Sequence, residues 1–142
     1  MLKHKITVQA VMLSLFFTAC GGSSSTPAPE VVSLAKAIQG TWAIACLYSG
    51  NISTLGNTTI NANGSFAETS QVQWSTGATS CTYTGDWTYS ESSKTLRYRY
   101  TWETCAQGGA RSLSDEYSGE VSSPTGRFGL RNNSGGGCTI SR

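Results

Sequence analysis

The sequence predicts an all-β, disulfide-stapled domain, on three observations. Short alternating runs rich in Thr, Tyr, Trp and Val fill residues 40–142, separated by Gly, Asn and Ser clusters. In the best of these runs the aromatic residues keep one parity and the charges the other. Four cysteines, Cys46, Cys81, Cys105 and Cys138, are spread through the same stretch. About 110 residues suffice for one compact domain with a modest core.

In chain order, Val31, Leu34, Ala35 and Ile38 recur at helical spacing, which predicts a short helix before the strands. A first strand runs from about Thr41 to Ser49, with Trp42, Ile44, Cys46 and Tyr48 on one face. A second, near Thr58 to Asn61, meets a third near Ser65 to Ser75. Asn63-Gly64 between them is a strong hairpin signal. A three-residue loop, Ala62-Asn63-Gly64, sets Ile60 opposite Phe66 and keeps large apolar groups together.

The clearest hairpin spans Thr82 to Glu103. Tyr83, Trp87 and Tyr89 alternate with Thr82, Thr84, Asp86 and Thr88. Leu96, Tyr98, Tyr100 and Trp102 alternate with Arg97, Arg99, Thr101 and Glu103. With Ser92-Ser93 as the turn, Glu91 faces Lys94, Trp87 faces Tyr98 and Asp86 faces Arg99. A four-residue loop stays open, because Ser-Ser suits a primed turn poorly. Next, Leu113, Tyr117 and Val121 face inward, as do Phe128 and Leu130 after the turn at Ser122-Ser123-Pro124-Thr125. That turn pairs Glu120 with Arg127 and Glu116 with Arg131. A final short strand carries Cys138 and Ile140.

The first twenty residues have a different character. Lys3, His4 and Lys5 precede an apolar run from Ile6 to Phe17, then Thr18-Ala19-Cys20. A basic start, an apolar run and small residues before a cleavage point form a secretory signal. The run is about a dozen residues, too short to span a bilayer as a helix. Phe17-Thr18-Ala19-Cys20 resembles a bacterial lipobox, with Phe17 where Leu is usual. The resemblance implies a signal peptide over 1–19, cleaved before Cys20, and an acylated Cys20. Gly21 after it, rather than Asp, favours an outer-membrane destination by likeness to Gram-negative lipoproteins. Several acyl chains give stable anchoring. Residues 20–30 then form the lipidated cysteine and a flexible, Pro-containing stalk. The folded domain covers 31–142.

Processing changes the charge. The chain carries 10 Lys+Arg against 8 Asp+Glu, and the loss of Lys3 and Lys5 leaves 8 against 8. A neutral mature chain without a basic run does not fit a nucleic-acid partner. The chain's one histidine, His4, lies in the discarded peptide. Ser-His-Asp and Cys-His catalysis and every His-containing zinc site are excluded on this reading. The expectation is a non-catalytic protein without cofactor or metal.

An even number of cysteines in an exported domain implies two disulfides, with three connectivities open. None of the spacings is short enough for a four-cysteine metal site. Cys46 shares parity with Trp42, and Cys81 with Tyr83 and Trp87, which favours Cys46–Cys81 with Cys105–Cys138. The runner-up is Cys46–Cys138 with Cys81–Cys105.

Gly40-Thr41-Trp42, after a helical turn and before successive antiparallel strands, resembles the start of a bacterial lipocalin-like domain. The resemblance implies a small antiparallel up-and-down barrel whose closed end Trp42 plugs. It also implies an arginine over that Trp, for which Arg127 or Arg131 is the nearest candidate. Trp42, Trp87, Tyr98, Tyr100 and Trp102 are the candidate cavity-lining residues, with simple core filling the favoured use of the aromatic row. Glu68 has the parity of Phe66, Val72 and Trp74; a strand end or bulge that turns it outward is the favoured placement. The expected partners are the membrane, through Cys20, and a small apolar ligand or lipid. The alternative is a filled barrel that binds envelope proteins, through its outer face or loops such as Gln107 to Ser112.

Overall fold

The computed structural model describes residues 32–48, 52–123 and 126–142. The expected signal peptide, Cys20 and the expected stalk, with Val31, residues 49–51, and Pro124 and Thr125 of the expected turn, lie outside the described residues. One short helix, α1 (Leu34–Ala37), precedes nine strands: β1 (Gly40–Leu47), β2 (Ser53–Ile60), β3 (Ser65–Trp74), β4 (Gly77–Ser90), β5 (Thr95–Cys105), β6 (Gly109–Ser112), β7 (Glu116–Glu120), β8 (Arg127–Arg131) and β9 (Gly137–Ser141). Ser33 caps α1, its hydroxyl accepting from the Lys36 N–H.

The sheet closes on itself. Going round, β1, β2, β3, β4, β5, β7, β8 and β9 pair in turn, β9 returns to β1, and every pairing is antiparallel. β6 and β7 both lie along β5, β6 beside Trp102–Cys105 and β7 beside Thr95–Arg99. They fill one strand position between them, so the wall is an eight-stranded up-and-down barrel. The expected all-β, lipocalin-like class with a short helix and two disulfides is what the chain adopts.

Turn chemistry sets the local registers. Ile60 pairs with Phe66 across the three-residue loop. Gly64 there has φ +83°, and Asn63 Oδ1 accepts from the Ser65 N–H at 3.0 Å. Trp87 pairs with Tyr98 and Asp86 with Arg99, whose carboxylate and guanidinium are 2.5 Å apart. The strands part at Ser90 and Thr95, so the turn is a four-residue loop, with Lys94 at φ +52°. Two strands begin earlier than expected, β2 at Ser53 and β4 at Gly77.

Three long-range expectations fail. The disulfides are Cys46–Cys138 and Cys81–Cys105, because each pair lies directly opposite on adjacent strands, β1–β9 and β4–β5. β1 and β4 are separated by two strands, about 14 Å of wall at ~4.8 Å per strand, so shared inward parity does not bring Cys46 to Cys81.

The expected β7–β8 register is off by two. Ser118 pairs with Arg131, and Glu116 instead meets Arg97 of β5 at 3.8 Å. β7 takes its place from β5, where Tyr117 opposes Tyr98 in the core. It then crosses β8 so closely that a Cβ on Gly119 would lie 2.0 Å from the Gly129 carbonyl oxygen.

The third failure is Trp102. A register shift between Thr84 and Gly85 gives β5 an extra residue, with Thr84 opposite Trp102 but Gly85 opposite Tyr100. The bulge flips the parity beyond it. Trp102 therefore points outward, 47% exposed, and Glu103 points inward, 7% exposed. On the partner strand Gly85 makes room: a Cβ there would sit 2.0 Å from the Arg99 carbonyl oxygen and 2.7 Å from the Phe66 ring.

Candidate functional site

The barrel has a filled end and an open end. At the filled end, Ile38, Trp42, Ile60, Phe66, Leu96, Val121 and Ile140 are buried. Trp42 donates its indole N–H to the Ile38 carbonyl at 2.7 Å and meets Phe128 edge-on at 5.3 Å. Arg142, rather than Arg127 or Arg131, lies over the Trp42 ring, 3.9 Å from its centroid. Its Nη2 donates to the Gln39 carbonyl at 2.6 Å. Arg127 instead reaches Thr139 on the outer wall. Trp87 donates its indole N–H to the Asn61 carbonyl at 2.8 Å.

Above this plug lies a layer of aromatic rings. Tyr98 packs on Phe66 at 4.4 Å, and Tyr100 meets both Phe66 and Tyr117 nearly edge-on. Glu68 sits in this layer, 3% exposed, because β3 keeps strict alternation from Phe66 to Val72. The expected outward turn does not occur. The Ser70 hydroxyl donates to Glu68 at 2.5 Å and the Tyr100 hydroxyl at 2.8 Å. Burial raises the Glu68 pKa, and those two hydrogen bonds oppose the rise.

Toward the open end the interior is hollow. A cavity of about 220 Å³ lies among Tyr48, Tyr83, Tyr100 and Tyr117, with Thr54, Val72 and Leu113 between the rings and Trp74, Glu103, Arg111 and Asp115 at the rim. Three ring contacts link the four phenols: Tyr83–Tyr100 at 5.8 Å and 89°, Tyr100–Tyr117 at 5.6 Å and 76°, Tyr48–Tyr117 at 6.4 Å and 88°. Burial raises the pKa of all four, and carboxylates add to this: Glu103 beside Tyr83, Glu68 beside Tyr100, Asp115 beside Tyr117. They are neutral hydroxyls throughout the physiological range.

The rim carries one ion pair, Arg111 Nε to Glu103. Thr54 and Tyr117 each have a buried hydroxyl without a hydrogen bond of good geometry. The Tyr48 phenol lies close to both. Both disulfides belong to this half of the barrel, and Cys46 and Cys81 are buried there.

Of the five expected cavity residues, Tyr100 alone lines this space. Trp42, Trp87 and Tyr98 are part of the packed interior, and Trp102 is outside. Tyr48, Tyr83 and Tyr117 carry the right parity, but parity does not tell a cavity wall from a filled core. Glu103, Arg111 and Asp115 escape the sequence reading, since Glu103 reaches the interior only through the bulge. A lone glycine inside a strand pattern, Gly85, is the available signal for it.

No family model matches the chain, and no curated protein matches it. Solved structures of similar shape include a redesigned β-barrel, mFAP1, bound to DFHBI, at 16% identity and TM-score 0.48, covering 78% of this chain and 100% of that one. EF1p2_mFAP2b bound to DFHBI is 14% identical, with TM-score 0.49 and coverages of 78% and 99%. A de novo designed fluorescence-activating β-barrel is 16% identical, with TM-score 0.46 and coverages of 78% and 98%.

Proposed function

We propose that this chain is a lipid-anchored, non-catalytic binding protein of the outer membrane, and that its barrel takes a compact small molecule into the open-end cavity. The observation that carries the reading is the tyrosine-walled space opposite the Trp42 plug. Concave, mostly apolar sites with a few convergent polar groups are where small molecules bind. At about 220 Å³ the space is below the roughly 300–1,000 Å³ of drug-sized pockets, which suits a compact molecule better than an acyl chain. The anchor rests on Phe17-Thr18-Ala19-Cys20, and the non-catalytic role on the absence of histidine beyond His4.

Native mass spectrometry of the mature protein purified from its own cell envelope tests the binding role. A bound small molecule released on unfolding supports it, and a clean apo mass counts against it. For the anchor, Cys20→Ser is expected to leave the membrane fraction or accumulate unprocessed. A processed Cys20→Ser chain that still fractionates with membranes contradicts lipidation.

A second reading, an interaction module for envelope proteins, draws on the outer wall. Leu47 and Leu55 are 70% and 67% exposed on β1 and β2, where Leu55 pairs with outward-facing Ala45. Residues Gln107 to Ser112, expected as a binding loop, instead run into β6, which is hydrogen-bonded to β5. Loss of a cross-linked partner in Leu47→Ser/Leu55→Ser with the cavity occupied or empty is the result that favours this reading.

A further inference from the structure

We propose that the molecule held in the open-end cavity is a compact organic ammonium ion; the proposal rests on the ligand-binding reading and names the ligand's chemistry. Three independent features converge on it.

The first is the shape of the aromatic wall. The Tyr83–Tyr100, Tyr100–Tyr117 and Tyr117–Tyr48 contacts turn corners of 89°, 76° and 88°. These are edge-to-face contacts, in which the edge of one ring meets the electron-rich face of its neighbour, and all four rings line the space. Cations, and quaternary ammonium groups above all, are held by such faces.

The second is the charge census. Glu103, Asp115 and Arg111 are the charged residues that line the space, two carboxylates against one guanidinium. Arg111 is ion-paired to Glu103, so its charge is already answered. Asp115 makes no direct ion pair among the described residues and interacts with Arg111 at longer range, so the three together leave one negative charge in excess at the lining. An anion finds no uncommitted cationic donor in the same lining.

The third is hydrogen bonding. The buried hydroxyls of Thr54 and Tyr117 lack well-formed hydrogen bonds, although both residues line the space. Tyr48 lies near both and Asn132 near Tyr117, so these hydroxyls are incompletely rather than wholly unsatisfied, and a ligand can complete them. Each can accept an N–H or O–H from a ligand that carries its charge among the rings.

Isothermal titration calorimetry on the mature protein separates this from the broader reading. The probes are choline and its neutral isostere 3,3-dimethylbutan-1-ol. Choline is expected to bind at least about tenfold more tightly, or about 1.4 kcal/mol. Asp115→Asn is expected to weaken choline at least about fivefold more than it weakens the neutral alcohol. Equal binding of the two probes overturns the ammonium proposal and leaves the cavity reading standing. Binding of neither at millimolar concentration also overturns it. The cavity reading itself falls only if native mass spectrometry finds the protein empty as well.

Discussion

The guanidinium of Arg142 lies 3.9 Å from the centroid of the Trp42 ring while its Nη2 donates to the Gln39 carbonyl at 2.6 Å. One side chain thus ties the segment after β9 to both the first strand and the turn after α1. Trp42 closes the same end by donating to Ile38. Trp42→Ala is expected to cost about 3–5 kcal/mol. Arg142→Ala removes a cation–π contact worth roughly 0.5–2 kcal/mol. Urea unfolding followed by circular dichroism checks both, and Trp42→Ala costing less than Arg142→Ala contradicts the plug.

The two disulfides close loops of different length, with sequence separations of 92 for Cys46–Cys138 and 24 for Cys81–Cys105. In the chain-entropy model they contribute about 4–5 and about 3–4 kcal/mol. The first also joins β1 to β9. Cys46→Ser/Cys138→Ser is therefore expected to lower the denaturation midpoint more than Cys81→Ser/Cys105→Ser. Non-reducing peptide mapping should recover Cys46 with Cys138. A Cys46–Cys81 peptide contradicts the strand order.

Glu68 gives stability a pH dependence. Its folded-state pKa is raised, chiefly by burial. The folded state therefore favours the protonated form. The stability contributed by protonated Glu68 is fully present below the unfolded glutamate value, about 4.3, and is lost as pH rises through the folded value. Wild type should lose stability relative to Glu68→Gln across that rise. Parallel urea titrations of the two proteins, from about pH 4 to about pH 9, measure the difference. A pH-independent difference means that Glu68 is not buried.

The bulge in β5 makes a prediction opposite to simple alternation. Trp102 faces water, so Trp102→Lys should change stability by only about 0.5 kcal/mol. An inward Trp102 would instead lose about 3–5 kcal/mol on truncation. Acrylamide should quench Trp102 readily and Trp42 hardly at all, measured in variants that retain each one.

What was legible in the chain was local. Ile60 opposite Phe66 and Trp87 opposite Tyr98 follow from turn length and period-two patterning, since a slip of one residue puts every side chain on the wrong face. Glu68 followed its parity inward against the expected strand end or bulge that would turn it out. Arg142 over Trp42 and Cys46 with Cys138 depend on which strands become neighbours when the barrel closes, and parity alone does not specify that. The inward Glu103 depends on one extra residue near Thr101, which alternation hides. The cavity is a property of packing among correctly placed tyrosines, so its volume was not readable from their order.

The most direct measurement is amide and aromatic NMR shift mapping on the mature protein during titration with choline. Perturbations confined to Tyr48, Tyr83, Tyr100, Tyr117 and their strand neighbours at the open end are the predicted result. Saturable shifts centred on Leu47 and Leu55 of the outer wall, with the four tyrosines unmoved, would contradict a ligand-binding barrel.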